Sequence, residues 1–148
     1  MSAEVYIAGD SCRLTLRLTR WASPELTSGP DANWVVGEVE LTTGSTGRFT
    51  ARHPVSLRTD ELARFRDELG ALMETLTGEA ALEHLENQFG AKVTLKAGVG
   101  ELEAFVAENV GAELRVKGVR TDQSYLAQTL RELSGAVAAF SVRGSAYD

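Results

Sequence analysis

The stretch RTDELARFRDEL (residues 58–69) returns further along the chain as RTDQSYLAQTLREL (residues 120–133). Both stretches begin with Arg-Thr-Asp, continue through Leu-Ala and end on Glu-Leu. When they are aligned on Leu-Ala, Leu62 to Leu69 matches Leu126 to Leu133. A helix that packs on a sheet requires a capped start, followed by leucines at steps of three and four. Both stretches are therefore predicted to be helices of the same kind.

The apolar positions of both stretches continue at helical spacing beyond the repeat. In the first stretch they are Leu62, Phe65, Leu69, Leu72 and Leu76, and in the second they are Leu126, Leu130, Leu133, Val137 and Phe140. Thr59 or Asp60 is expected to cap the first helix, and Thr121 or Asp122 the second. Short polar side chains there accept hydrogen bonds from the free N–H groups of a helix start. The spacing thus predicts two amphipathic helices, each with one apolar stripe. The closing SVRGSAYD at residues 141–148 is expected to be a frayed end.

Each predicted helix follows about four segments in which apolar and polar residues alternate. The clearest is CRLTLRLT at residues 12–19, where Cys12 and three leucines alternate with Arg and Thr. Period two is typical of an antiparallel strand with one buried and one solvated face. The preceding EVYIAG is expected to be its hairpin partner, and TTGSTG joins two further strands within residues 33–57. Pro54 predicts that the last of these is an edge strand or carries a bulge.

The second half repeats this organisation with EAALEHLE, AKVTLKA, ELEAFVAE and GAELRVKG, which begin at residues 79, 91, 101 and 111. The first of them also fits helical spacing through Leu82, Leu85 and Phe89, and we favour a strand. The order β4α followed by β4α predicts a single α+β domain over residues 1–148. It would have about eight mostly antiparallel strands and two helices packed on sheet. Duplication and shared packing physics both explain such a repeat.

The composition is that of a globular domain with a mildly acidic surface. Of 148 residues, 43% are hydrophobic and 24% are charged, and 21 acidic against 15 basic side chains leave a net charge of −6. This balance argues against a nucleic-acid partner, because phosphate backbones attract an excess of Lys and Arg. Cys12 is the single cysteine, so no internal disulfide is expected. Without a run of about 20 apolar residues or a secretory signal, the chain is expected to be cytoplasmic and to have no membrane partner.

No motif for catalysis or cofactor binding is recognisable in the sequence. His53 and His84 are not at metal-ligand spacing, and Cys12 has no second thiol near it. The glycine-rich GSTG and GVGE lack the lysine of a phosphate-binding loop, and there is no Gly-x-Ser-x-Gly elbow. The sequence therefore predicts no metal and no organic cofactor, and both histidines are interpreted as surface or structural residues.

Two pairs of glutamates are candidates for a site. Glu38 and Glu40 lie on one side of a predicted strand, and Glu101 and Glu103 lie on one side of another. Such pairs could serve a glycosidase or bind a divalent cation. Because the opposite side of each strand is apolar, the plainer interpretation is a solvated strand face. Trp34, at the end of a Ser-, Pro- and Gly-rich loop, is either a partner anchor or a core residue.

The most specific sequence motifs of the chain are LTGEA at residues 76–80 and TDQSYLAQTL at residues 121–130. With the helix LRTDELARFRDELGALMETLTGEA and the closing VRTDQSYLAQTLREL, the chain resembles the WapI-like immunity proteins over roughly residues 12–135. The resemblance implies a bacterial, cytoplasmic, non-enzymatic inhibitor that occupies a cognate polymorphic toxin domain. These motifs reflect structure rather than chemistry, so the resemblance assigns no functional site residue to this chain.

For such an inhibitor, the acidic balance favours a basic partner. We expect a basic toxin domain, for which a nuclease is one candidate, to contact an acidic face that includes some of the four glutamates. Two other functional classes stay open. One is a structural or regulatory interaction module, such as a homodimer that pairs its edge strand near Pro54. The other is a small-molecule binder or enzyme whose pocket would be lined by Glu38, Glu40 or His84.

Overall fold

Two four-stranded antiparallel meanders and two helices make up the structure, a computed structural model that describes residues 2–144. The first sheet consists of β1 (Ala3–Gly9), β2 (Cys12–Trp21), β3 (Trp34–Thr43) and β4 (Phe49–Arg58), and helix α1 (Thr59–Thr75) follows it. The second sheet consists of β5 (Gly78–Glu83), β6 (Phe89–Lys96), β7 (Val99–Ala107) and β8 (Glu113–Asp122), followed by helix α2 (Gln123–Ala139). The predicted α+β class and the β4α–β4α order are confirmed.

The strands lie where the alternating pattern predicts them. In β2 the side chains of Cys12 and the leucines that alternate with it are buried. The EVYIAG segment belongs to β1, which pairs with β2 across a two-residue turn. The ambiguous segment forms strand β5 up to Glu83, so the choice of a strand is confirmed. Pro54 lies in β4, an edge strand of the first sheet, so the predicted edge position is confirmed.

The inner faces of the two sheets meet in one apolar core. Strands β3 and β4 of the first sheet contact β7 of the second sheet, and the buried side chains of both sheets and both helices belong to a single cluster. The largest of the fully buried side chains are Phe65, Phe89, Phe140, Ile7, Leu14 and Leu16. Because side chains alternate along a strand, the remaining residues of each sheet point away from this core. Each sheet therefore has an outer face that the other sheet does not cover.

Each helix packs along the first strand of the sheet in the other half of the chain. Helix α1 lies against β5, and α2 lies against β1. The two glutamates of the repeated Glu-Leu spelling make the same contact in both places. Glu68 Oε1 accepts a hydrogen bond from the backbone N–H of Ala81 in β5 at 3.1 Å. Glu132 Oε1 accepts one from the N–H of Tyr6 in β1 at 2.9 Å. The repeat thus supplies a partner for a backbone N–H on each of these edge strands.

The repeated Arg-Thr-Asp also has one structural role in both halves. Its arginine and aspartate form an ion pair, at 3.0 Å between Arg58 and Asp60 and at 3.1 Å between Arg120 and Asp122. The threonine between them is fully buried in each half. The Thr59 hydroxyl donates to the carbonyl oxygen of Phe140 at the end of α2, and the hydroxyl of the second threonine donates to a β1 carbonyl oxygen. Both threonines therefore tie one half of the chain to the other.

The helix caps are predicted correctly for α2 and wrongly for α1. Asp122 caps α2, since its Oδ1 accepts hydrogen bonds from the N–H groups of Ser124 and Tyr125 at 2.9 and 3.3 Å. Helix α1 begins one residue earlier than predicted, with Thr59 inside the helix and its hydroxyl turned to α2. Neither Thr59 nor Asp60 occupies the capping position there, because the threonine hydroxyl is used in the contact between the helices.

Leu69 and Leu133 occupy equivalent positions in the two helices and are both fully buried. We expect Leu69→Ala and Leu133→Ala each to lower the free energy of unfolding by about 2–5 kcal/mol, because each change removes apolar contacts and leaves a cavity. Leu85→Ala is the matched control, because 66% of that side chain is exposed. It should change stability by no more than about 0.5 kcal/mol. Denaturant unfolding measures all three, and equal losses for all of them would contradict the packing described.

Candidate functional site

Glu38 and Glu40 lie on the outer face of the first sheet, in the middle of β3. Arg17 of β2 bridges them, with nitrogen–oxygen distances of 3.2 Å to Glu38 and 3.5 Å to Glu40. Arg52 of β4 does the same from the other side, at 3.1 Å to each carboxylate. Arg17 also pairs with Glu4 of β1 at 3.2 Å. The two glutamates are thus part of a row of alternating charges that crosses all four strands. Each charged side chain of the row is held by an ion pair with a neighbouring strand.

Glu101 and Glu103 lie on the outer face of the second sheet, in β7. Glu103 is paired with Arg115 of β8 at 3.3 Å, and Arg115 also pairs with Glu113 at 3.2 Å. The guanidinium of Arg115 lies 4.4 Å from the centre of the Phe105 ring. Glu101 is exposed, and within residues 2–144 it has no basic nitrogen within 4.0 Å. Since the two sheets face each other through the core, these two glutamates and the β3 pair point to different sides of the molecule.

Trp34 is half-buried at the first position of β3, on the same side of the strand as Glu38 and Glu40. Its carbonyl oxygen accepts a hydrogen bond from the N–H of Ala22 at 2.9 Å, which closes the loop between β2 and β3 at its base. Trp21 at the other end of this loop packs edge-to-face against Phe140, with ring centres 5.4 Å apart. Trp21 is therefore a packing residue, and Trp34 is the tryptophan next to the charged outer face.

Arg143, which the sequence pattern placed in a frayed terminal segment, fastens the loop between β2 and β3. Its guanidinium donates to the carbonyl oxygens of Ser23, Pro24 and Ala32, and it stacks over the Trp21 ring at 4.0 Å. Its backbone N–H donates to Asn33 Oδ1 at 2.7 Å. The frayed-end prediction is thus wrong for this residue, while residues 145–148 lie outside the described part of the chain. No local spacing marks the contact, because it joins residues more than 100 positions apart.

An open cleft of about 730 Å³ lies on the outer face of the first sheet, where this face meets the start of α2. We call it the tyrosine cleft and define it by Tyr6 of β1, Arg13 of β2, Arg48 before β4 and Tyr125 of α2. The guanidinium of Arg13 lies 4.6 Å from the centre of the Tyr6 ring. Glu40 also lines the cleft, so the cleft and the row of alternating charges share one surface. Sequence reasoning missed this cleft, because its four defining residues come from four separate segments.

Both tyrosines of the cleft are fixed through their hydroxyl groups. Tyr6 donates to Glu4, and this hydrogen bond raises the pKa of Tyr6 above its ordinary value. Tyr125 donates to Asp10 Oδ1 at 2.8 Å, which raises the pKa of Tyr125 in the same way. The backbone of Tyr6 is held as well, because its carbonyl oxygen accepts the hydroxyl of Thr129 at 2.6 Å. The two tyrosine side chains are therefore held in place by the protein's own hydrogen bonds.

His84 and Cys12 are buried and serve packing, whereas His53 is half-buried in β4, with its Nδ1 2.6 Å from the carbonyl oxygen of Pro54. His84 is buried; its Nδ1 accepts from the N–H of Gln88 at 3.2 Å, so Nε2 carries the proton that it donates to the Ser56 carbonyl oxygen at 2.8 Å. Its ring stacks on that of Phe89, with centres 4.6 Å apart. Burial raises the pKa of the Cys12 thiol. Among the residues that the structure describes, no three His, Cys, Asp or Glu side chains form a group that could hold a metal ion.

Glu61 joins the start of α1 to the turn that follows β5. Its Oε1 accepts from the N–H of Arg58 at 3.0 Å, and its Oε2 accepts from the N–H of Leu85 at 2.8 Å. Burial raises the pKa of Glu61 above its ordinary value, although these two hydrogen bonds act in the opposite direction. The carboxylate therefore links the start of α1 to the second sheet through the turn that follows β5.

The outer face of the first sheet presents tyrosines and arginines beside rows of paired charges, and these two residue types are enriched at protein interfaces. A family model for the WapI-like immunity proteins matches residues 6–141 of the chain. The chain therefore belongs to the WapI-like immunity protein family, and the resemblance seen in the sequence is confirmed. Immunity proteins of this kind generally act without catalysis. No curated protein matches the chain. Within residues 2–144, none of the helices has the length and apolar character needed to span a membrane.

The raised pKa of Glu61 leads to a pH dependence with a definite sign. Because the pKa in the folded protein lies above the reference value of 4.5, the folded state holds this proton more tightly than the unfolded state does. The stability that Glu61 contributes is therefore present below the unfolded pKa and is lost as the pH rises through the folded pKa. Relative to Glu61→Gln, the wild-type free energy of unfolding should fall as the pH is raised from 4.5 towards neutral. Denaturant titrations across this range test it, and a relative rise with pH would contradict it.

Proposed function

We propose that this protein binds a cognate toxin domain and neutralises it by occupying its surface, without chemistry of its own. Membership of the WapI-like immunity family is the observation that carries this proposal. The toxin that such a protein restrains acts on the cell that makes the inhibitor, so the proposed compartment is the bacterial cytoplasm. Neither nucleic acid nor membrane is part of the proposed interaction.

The proposal extends to the chemistry of the toxin. The net charge of −6 would steer a basic domain towards the inhibitor, and charge steering raises association rates by about 10- to 1,000-fold. A nuclease domain is a candidate, because a surface that binds a phosphate backbone is basic. Carboxylates on a sheet suit this role better than carboxylates on a loop, since neighbouring strands fix their positions. Glu38, Glu40, Glu101 and Glu103 are the proposed contacts, with Trp34 beside the first pair.

The two pairs of glutamates point to different sides of the molecule, so they are tested separately. We would compare Glu38→Lys/Glu40→Lys with Glu101→Lys/Glu103→Lys, and use Glu74→Lys/Glu108→Lys as a control with the same change in net charge. Both control residues are exposed and belong to neither outer face pair. Circular dichroism and denaturant unfolding would show that every variant folds.

The measurement is the rescue of cells that express the toxin domain encoded beside the gene, together with association rates for the purified pair. Wild type should protect, and one of the two sheet variants should associate at least about 10-fold more slowly, with a weaker dependence on salt. The control should behave as wild type. Protection by both sheet variants at the wild-type level would remove the acidic faces from the mechanism. No protection by the wild-type protein would refute the immunity function itself.

A further inference from the structure

The tyrosine cleft differs in charge from the rest of this acidic protein. The carboxylate that lines it, Glu40, already has Arg17 and Arg52 as partners. Arg13 and Arg48 also line it, and within residues 2–144 neither guanidinium has a carboxylate oxygen within 4.0 Å. The cleft therefore holds two guanidinium groups without a close ion-pair partner in the described part of the chain; the carboxylates nearest to the tyrosines, Glu4 and Asp10, are hydrogen-bonded to the tyrosine hydroxyls. Guanidinium groups bind carboxylates through paired hydrogen bonds, so an anionic group complements this cleft.

The outer face of the second sheet is built differently. Its most prominent arginine, Arg115, is neutralised by Glu103 and Glu113 and lies over the Phe105 ring. Arg115 is therefore not available to an incoming carboxylate, whereas Arg13 and Arg48 are. Glu101, Lys96 and Lys117 on the second sheet also have no ion-pair partner within 4.0 Å among residues 2–144, but they do not line its cleft. Both outer faces have a cleft: the one on the second sheet, lined by Lys92, Phe105 and Arg115, has a volume of about 410 Å³, and the tyrosine cleft is larger, at about 730 Å³.

Rigidity is the second property that makes the cleft suitable for binding. Helix α2 holds Tyr6 through both of its backbone polar groups, since Glu132 accepts its N–H and Thr129 donates to its carbonyl oxygen. The hydroxyls of Tyr6 and Tyr125 are each bonded to a carboxylate. Tyrosine and arginine are enriched among the residues that contribute most to protein interfaces, and fixed side chains lose little entropy on binding.

We propose that the outer face of the first sheet is the toxin-binding surface, and that a carboxylate-bearing segment of the toxin inserts into the tyrosine cleft. Arg13 and Arg48 receive the carboxylate, while the two tyrosine rings contact the apolar part of the inserted segment. The adjacent Glu38 and Glu40 contact basic groups that flank the segment. This inference rests on the proposed immunity function and selects one of the two faces for it.

The test measures the affinity of the purified inhibitor for the toxin domain encoded beside its gene. The cleft variant is Arg13→Glu/Arg48→Glu. The control is Lys96→Glu/Lys117→Glu, which makes the same change in net charge on exposed positions of the second sheet. Arg13→Gln/Arg48→Gln is a milder variant that removes the charges without reversing them, in case the reversed charges disturb folding. Sedimentation of the inhibitor alone, at several concentrations, reports whether it associates with itself.

The cleft variant should bind the toxin at least about 30-fold more weakly than wild type, and the neutral variant should be intermediate. The control should stay within about threefold of wild type, because its charges lie outside the proposed contact. Wild-type affinity in both arginine variants would overturn the cleft while leaving the immunity function intact. A larger loss in the lysine control would move the interface to the second sheet. A wild-type dimer that the cleft variant dissociates would assign the cleft to a second copy, and no binding by wild type would refute the immunity function.

Discussion

The first strand of each sheet is an edge strand, and an uncovered edge strand exposes backbone N–H and C=O groups that can pair with another chain. In this protein each of these edges is covered by the helix of the other half of the chain: α1 lies along β5, and α2 lies along β1. Glu68 and Glu132 then accept one edge N–H each. The remaining architecture follows from this exchange. Because each helix packs along the sheet of the other half, neither four-stranded unit is covered by its own helix, and the two share one core.

The same exchange explains why the helix sequence is repeated, and it also sets the limit of what local sequence patterns can predict. Period two and helical spacing are local properties, so the strands and both helices could be predicted from them. The two glutamates of the repeat can be recognised in the sequence. Their hydrogen-bond partners, Ala81 and Tyr6, depend on which strand each helix covers. Thr59 illustrates the limit most clearly. Its short polar side chain is typical of a helix cap, yet its hydroxyl donates a hydrogen bond to a carbonyl oxygen at the end of α2. No local sequence pattern contains this contact.

The candidate site was predictable to a smaller extent than the fold. Alternation placed Glu38, Glu40, Glu101 and Glu103 on solvated faces, and the structure places all four on outer faces. It could not indicate that Arg17 and Arg52 bridge the first pair, or that the two pairs point to different sides. The tyrosine cleft combines β1, β2, a hairpin and α2, so it exists only once α2 has packed on β1. The contact that covers an edge strand therefore also builds the surface that we assign to the toxin.

The central claim is that the two halves form one cooperative unit because their helices are exchanged. Native-state amide hydrogen exchange tests this claim most directly, since it reports the opening free energy of each strand in the intact protein. The slowest amides of β2 and β3 should open with the same free energy as those of β6 and β7, and this value should equal the global free energy of unfolding. Two distinct values, one for each sheet, would show that the halves open independently and would contradict the claim.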